Sequence, residues 1–502
     1  MKTSSDDAGF NMSRVRMIAV SSFFILNLAV FTLRMVSVWR YGAFFATSGA
    51  EHMQVYSIWK GMHHLTVYEW PFRFPFSLSL YNYLFYESYA AVLRLIGAWD
   101  AGILSWGRML TSLFAIMGAT AQWRLVQHRL SLRGIESALS LFFAVGLWLS
   151  TSMVHWWALT IRPDIPAAAL VMVALWMVVK QPRFGFALAG LFFYFAWSFK
   201  QSAVLVFIGV CLFLLFQKRW GDFSALVGIF ASLTAVTLFL GTPAYRFSIL
   251  EVARLTHSDF SILRAWRAAH FSLAANAYWI VAPLAVLLST GRRRATGTIH
   301  LFIGIFVLAL IVGVAGMGVP EASDNYLIEA FAAGSTLLQF AVFTAPGRLA
   351  SFLVLLGCVQ PAMQLATAPG GYQTFGATRV ATAAEYASAK SLSETVMKLK
   401  KPVFITIGAF ELPWISAGDG APALTLDPLF ETDAAQALFD HGGIEGMLKR
   451  GEVPTVMMAP DDVFIGDLNS KYVRVGEAFY LDTSYGIYVI DSPTPGVDFT
   501  GK

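Results

Sequence analysis

GRRRATGTIHLFIGIFVLALIVGVAGMG, residues 291–318, decides the class of this protein. Three consecutive arginines precede a run, 298–318, in which His300 is the one titratable side chain. A run of that length covers the roughly 20 residues a helix needs to cross the hydrocarbon core. The arginines mark its cytoplasmic end, because short loops rich in Lys and Arg are retained on that side.

Working outward, apolar runs separated by short polar punctuation recur over the first 367 residues and then stop. They predict eleven crossings, at 17–39, 103–123, 137–157, 165–179, 184–199, 202–216, 223–242, 271–290, 298–318, 326–344 and 349–367. The first follows Lys2, Arg14 and Arg16. Its length and its lack of a small-residue cleavage pattern predict a retained span rather than a signal peptide. Arg34 inside it is expected near the far interface or facing other helices. Composition agrees: 13% of the 502 residues are charged and 57% are hydrophobic, where a soluble domain carries roughly 25% charged residues.

With a cytoplasmic N terminus, the basic clusters all fall on one side: Arg124, Arg129 and Arg133; Lys180 and Arg183; Lys218 and Arg219; Arg292, Arg293 and Arg294; and Arg348. That requires the apolar run from Phe76 to Gly97 not to cross. Its Tyr81, Asn82, Tyr83, Tyr86, Glu87, Tyr89 and Arg94 predict an interfacial helix on the outer face instead. The outside then holds a long first loop, 40–102, a second from Pro243 to His270, and the C-terminal unit.

Charge divides the chain at the same place. Residues 1–367, the transmembrane domain, carry 26 Lys and Arg against 14 Asp and Glu, whereas residues 368–502 carry 10 against 17. The mild overall basicity belongs to loops facing anionic lipid, and no basic aromatic stripe points to nucleic acid. Residues 368–395, rich in Ala, Thr, Gly and Ser, read as a connector, and 396–502 as a small external α/β domain. Its expected strands are 401–408 and 454–459, with helix from Pro428 to Lys449. Cys211 and Cys358 lie in apolar spans and imply no disulfide framework.

Ionisable groups at the outer face are the chemically informative ones, since a charge within the bilayer costs about 2.5–3.5 kcal/mol even on the insertion scale. Ser48 and Gly49 can start a helix with Glu51 in its first turn, where the dipole favours the ionised carboxylate a general base needs; the plainer reading is a helix-start acid. In IRPDIPAAAL, Arg162 and Asp164 stand on a turn stiffened by Pro163 and Pro166, suited to binding phosphate and orienting a base, or to pairing with each other. Lys200 in SFKQSA and Arg73 in WPFRFPFSLSLYNYLFY are candidate phosphate ligands or headgroup anchors. His52, His63 and His64 fit no strong zinc motif. Asp324 and Asn325 are read as helix-capping or substrate-contacting residues, and Tyr81, Tyr83, Trp156 and Trp157 as sugar-stacking or interfacial aromatics. No Walker motif, nucleophile elbow or dinucleotide fingerprint is present.

These elements, in this order, resemble the GT-C superfamily of membrane glycosyltransferases, particularly the bacterial branch of the lipid A aminoarabinose transferase and the protein mannosyltransferases. The resemblance rests on Glu51 soon after the first span, WPFRFPFSLSLYNYLFY, GRML at 107–110, RPDIPA at 162–167, FKQS at 199–202 and DNYLIEA at 324–330, and covers most of residues 17–367. It implies a multi-pass bacterial inner-membrane enzyme with a cytoplasmic N terminus and a periplasmic C-terminal domain. That enzyme would move a sugar from a polyprenyl-phosphate donor to a membrane lipid or glycan acceptor by inverting displacement. On this resemblance Glu51 serves as base, Asp164 matches a second outer acid, and Arg73 and Lys200 occupy positions where the family places cations on the donor phosphate; beside it, Arg162 is read as a further phosphate ligand and His52, Tyr81, Tyr83, Asp324 and Asn325 as substrate contacts. The family often has a paired acid in the first loop, and here Ala50 precedes Glu51. No cofactor is firmly implied, with a divalent metal left open. A transporter or flippase of lipid-linked glycans and a noncatalytic envelope assembly protein are the alternatives.

Overall fold

The computed structural model describes residues 4–41, 51–74, 76–151, 153–154, 156–256, 260–289, 296–319, 324–367, 383–399, 403–406, 437–460, 466, 468, 471–480 and 483–490. The expected runs are helices: α1 (Ser4–Tyr41), α4 (Ala101–Leu130), α5 (Gly134–Ser150), α6 (Asp164–Lys180), α7 (Gly185–Phe199), α8 (Val204–Phe216) and α9 (Trp220–Leu240). They continue with α10 (Ile262–Ala275), α11 (Ala282–Ser289), α12 (Thr296–Gly316), α13 (Ile328–Thr344) and α14 (Gly347–Thr367). Two helices of the first loop, α2 (Glu51–Met62) and α3 (Tyr83–Leu95), precede α4. Five helical segments, Arg14–Trp39, Ala101–Leu130, Trp220–Leu240, Gly297–Gly316 and Asp324–Thr344, are long and apolar enough to cross a membrane by length and composition. The chain is an α-helical polytopic membrane protein with a small C-terminal α/β unit.

The structure refines two readings. The run from Phe76 to Gly97 is non-helical until Asn82, whose side chain accepts from Tyr83 N and starts α3. At 13 residues, α3 is about 20 Å long, short of the roughly 30 Å hydrocarbon core. The segment expected as one crossing at 271–290 is broken: α10 ends at Asn276, a short turn of helix occupies Ala277–Ile280, and α11 follows. The Arg292–Arg294 cluster lies outside the described residues.

Close helix packing depends on small residues, as in membranes generally. A Cβ on Gly118 of α4 would stand 2.6 Å from the Trp148 ring of α5. Beside it, Gln122 donates to Gln339 Oε1 (2.8 Å) and accepts from Trp148 Nε1 (2.8 Å) and Ser335 Oγ (2.9 Å), while Gln339 donates to Ser140 Oγ (2.7 Å). This neutral network joins α4, α5 and α13.

In the C-terminal unit, β1 (Val403–Ile405), β2 (Thr455–Met458), β3 (Tyr472–Tyr480) and β4 (Thr483–Ile490) form one sheet in the order β1-β2-β4-β3, with β1 parallel to β2 and the other pairs antiparallel. Alternation along the strands builds two faces. Val403, Ile405, Met457 and Ile487 pack on Leu392 and Val396 of α15 (Ala383–Val396). Phe404, Val456 and Met458 pack on Ile444, Met447 and Leu448 of α16 (Gly443–Arg450) and on Phe72 and Phe76 of the first outer loop. The stretch read as a connector therefore includes a helix, α15, which belongs to the α/β unit because its apolar side covers the sheet. Of the helix expected from Pro428 to Lys449, residues 428–436 lie outside the described residues and the α-helix begins at Gly443. The β3–β4 hairpin was not expected. The contact of Phe72 and Phe76 with the sheet places the first loop and the C-terminal unit on the same side of the helical domain.

Candidate functional site: buried ion pairs at one end of the helices

Glu51 is the first residue of α2 and is fully buried. Its Oε1 accepts from Arg108 Nε (2.9 Å) and from Ile161 N (2.9 Å), and its Oε2 accepts from Arg108 Nη2 (2.6 Å). Arg108, on α4, is itself buried. Fork and carboxylate meet in the two-point geometry that makes such pairs strong and directional. The Ile161 contact needs α4 to lie close, and Gly107 permits this: a Cβ there would stand 2.6 Å from the Ile161 side chain.

One residue beyond Ile161 the chain carries the second group. Asp164 opens α6, with Pro163 before it and Pro166 in its first turn, where a missing N–H breaks no helical hydrogen bond. Its Oδ1 meets Lys200 Nζ (2.7 Å) and accepts from Asn325 Nδ2 (2.9 Å), and its Oδ2 meets Arg162 Nε (3.1 Å). Lys200, in extended conformation between α7 and α8, also donates to Asn325 O (3.3 Å) and lies 3.7 Å from Glu329 Oε1. Burial works against the Lys200 ammonium, yet Asp164 and Glu329 outweigh it and hold its pKa above the ordinary lysine value. Lys200 therefore stays charged.

Arg162 donates from Nη2 to Tyr81 Oη, and its guanidinium lies over the Trp157 ring, 4.9 Å from the centroid. Burial pushes the Tyr81 phenol up to about 12 against the opposing pull of Arg162. Tyr81 thus keeps its proton. The first loop is tied to this group by Gln201 Nε2 donating to Leu80 O (3.1 Å) and Asn82 Nδ2 donating to Trp197 O (3.0 Å). Trp157 Nε1 in turn donates to Asp324 Oδ1 (3.2 Å).

The structure thus brings together Asp164, Arg162, Lys200, Tyr81, Asp324 and Asn325, with Glu51 of α2 tied to the same short loop through Ile161 N. It does not bring Arg73 to them. That side chain is 76% exposed, and its nearest ionic partner is Asp440 of the C-terminal unit at 3.8 Å. Tyr83 also stands apart, its hydroxyl 2.9 Å from that of Tyr194. His52 is buried next to Glu51 in α2, whereas His63 faces Asp100 at 3.3 Å and His64 accepts from Arg94, so the three histidines do not converge. Among the described residues no group of three or more His, Cys, Asp or Glu forms a metal-type cluster. Arg108 faces the Glu51 carboxylate, and Arg162 and Lys200 face that of Asp164. Trp156 lies away from the group, under the Arg34 guanidinium at 5.6 Å. Arg34 faces other helices, fully buried, with Nη1 3.4 Å from Ser150 Oγ.

Reading single motifs missed Arg108, Glu329 and Ser202 as site residues. Arg108 and Glu329 sit inside predicted crossings, where an unpaired charge is costly enough to demand an opposite partner. That was the available signal. Ser202 donates to Glu329 Oε1 and carries no such signal of its own.

Among solved structures, the chain is similar to ArnT from Cupriavidus metallidurans bound to undecaprenyl phosphate, at 12% identity and a TM-score of 0.60, over 93% of this chain and 98% of that one. It is also similar to the Archaeoglobus fulgidus oligosaccharyltransferase in the apo form, at 12% identity and a TM-score of 0.49, over 88% of this chain and 69% of that one. No family model and no curated protein matches the sequence. The likeness to ArnT spans nearly all of both chains and shows a shared fold.

Proposed function

We propose that this chain is a membrane glycosyltransferase. On this reading it moves a hexosyl or pentosyl group from a polyprenyl-phosphate donor to a lipid or glycan acceptor at the periplasmic face of a bacterial inner membrane. The carrying observation is the buried cluster in which one carboxylate, Asp164, aligns two cations, Arg162 and Lys200. Permanent positive charge held in a low-dielectric site is what a leaving phosphate requires. A fold shared with a protein crystallised with undecaprenyl phosphate supports the same donor class.

The two acids then divide the work. Asp164 touches both cations and is best used in orienting them. Glu51 is left as the base, with Arg108 fixing its direction, and takes a proton once one of its present hydrogen bonds yields. The acceptor oxygen attacks the anomeric carbon, its proton passes to Glu51, and the bond to phosphate breaks with its electron pair on polyprenyl phosphate. Such a direct displacement inverts the anomeric centre and needs one basic carboxylate. Tyr81 and Trp157 hold the Arg162 guanidinium in place.

The test is consumption of a polyprenyl-phosphate sugar by the purified chain in detergent, where no gradient exists to drive a transporter. Release of polyprenyl phosphate together with an anomerically inverted product is the expected result. Intact donor, alongside donor movement across vesicle membranes, would overturn the reading in favour of a flippase. Reporter fusions near Phe430 are expected to behave as external and fusions after Arg294 as cytoplasmic.

A further inference from the structure

At the opposite end of the helical domain, a cavity of about 640 Å³ is lined by Arg124, Gln127, His128, Arg133, Trp176 and Lys180, together with two neighbours from the α4–α5 turn. Arg108 and Arg124 lie on the same helix, α4, sixteen residues apart, so the cavity is about 24 Å along the axis from the Glu51 pair. It is formed where α4 ends. Ser131 takes the left-handed conformation there (φ 55°), α5 starts at Gly134, and the last turn of α6 brings in Lys180.

Each cation taken singly complements a helix end, as basic residues near C-termini do. Their convergence is what needs another account. The sequence presents them as two separate basic loops, and the fold joins them around one recess whose lining contains no carboxylate. Among the described residues no ion pair engages Arg124, Arg133 or Lys180. Arg124 instead lies over Trp123 at 4.4 Å and donates to Gln127 Oε1 (3.2 Å), and Lys180 lies 5.2 Å from the Trp176 centroid. Indole rings beside basic groups mark a membrane–water boundary. Ile135 and Phe184, both well exposed, flank the two loops with apolar surface.

We propose that this recess binds the phosphate headgroup of an anionic phospholipid in the leaflet opposite the buried ion pairs, with Arg124, Arg133 and Lys180 as phosphate ligands and the tryptophans against the acyl–headgroup boundary. Basic recesses between membrane helices meet anionic headgroups by this combination of charge and interfacial aromatics. Commitment to a lipid rather than a soluble phosphate follows from the flanking apolar surface, which a free anion does not need.

The full-length chain in uncharged detergent is titrated with phosphatidylglycerol, with phosphatidylcholine and with inorganic phosphate, reading the unfolding temperature and the lipid retained in native mass spectrometry. Phosphatidylglycerol is expected to raise the unfolding temperature saturably and to be retained, with the other two giving neither effect. The triple variant Arg124→Gln, Arg133→Gln, Lys180→Gln, all at exposed positions, is expected to bind it on the order of 100-fold more weakly, from about fivefold for each cation near the surface. Lys218→Gln with Arg219→Gln, in the neighbouring basic loop, is the control and should retain binding. Equal loss in that control would reduce the effect to diffuse surface charge, and an equal response to inorganic phosphate would refute the lipid; either result overturns the proposal.

Discussion

The two ends of α4 and α6 carry the same residue types in opposite states. At one end Arg108 is sealed against Glu51, and Asp164 is enclosed by Arg162 and Lys200, so each of these five charges faces a counter-charge. At the other end Arg124, Arg133 and Lys180 stand exposed with no carboxylate in their recess. The difference is one of burial rather than residue identity: the paired charges of this comparison are the enclosed ones. Removing one member of a buried pair leaves its partner uncompensated, which costs about 3–5 kcal/mol, whereas an exposed pair contributes about 0–1 kcal/mol.

The largest expected break in this comparison is Glu51→Gln. Turnover should fall by about 100-fold or more if Glu51 takes the acceptor proton. The variant also strands Arg108, so it should unfold more readily. Adding Arg108→Gln restores neutrality, and the double variant should regain thermal stability without regaining turnover. Recovery of both together would reduce Glu51 to a structural partner and move the base to Asp164.

Asp164→Asn is the next test. It keeps the shape but removes the charge that aligns Lys200 and Arg162. With two cations left against Glu329 alone, donor affinity is expected to change by roughly tenfold or more, read as KM for the lipid-linked sugar, with a smaller effect on kcat. An unchanged KM with an abolished kcat would contradict the division of labour between the two acids.

A smaller effect is expected in the neutral network between the two ends. Gln122→Leu removes contacts to Gln339, Trp148 and Ser335. Polar contacts between membrane helices contribute about 0.6 kcal/mol on average and up to roughly 1.7, so the loss in an unfolding titration should be about 1–3 kcal/mol with turnover retained. Arg73→Ala closes the series. Its exposed contact with Asp440 at 3.8 Å predicts a stability change below about 1 kcal/mol and unaltered KM. A raised KM would return Arg73 to the donor site.

Much of the fold was legible because hydrophobic run length is a local property. The runs at 165–179, 223–242 and 298–318 coincide with α6, α9 and α12 to within three residues, and 103–123 lies inside the longer α4. The break at Asn276 was not, since no proline or glycine marks it; Asn276 donates to Ser272 O and accepts from Trp279 Nε1, a local exchange that ends the helix. The β3–β4 hairpin had the right residues in YVRVGEAFY and TSYGIYVI, but without a turn dipeptide between them the pattern was passed over. In the site, Asp164, Arg162 and Lys200 could be singled out as outer-face charges, yet nothing local ties Lys200 to Asp164 rather than to lipid headgroups.

By itself the sequence determined the membrane class and the positions of most of the long apolar helices, because lipid imposes those constraints residue by residue. The tertiary structure decided which charge answers which. Glu51 and Arg108 are 57 positions apart, and Lys200 reaches Asp164 only because α6 and α7 turn back on one another. An ion pair is a relation between two places, and the places come to exist only when the helices have packed.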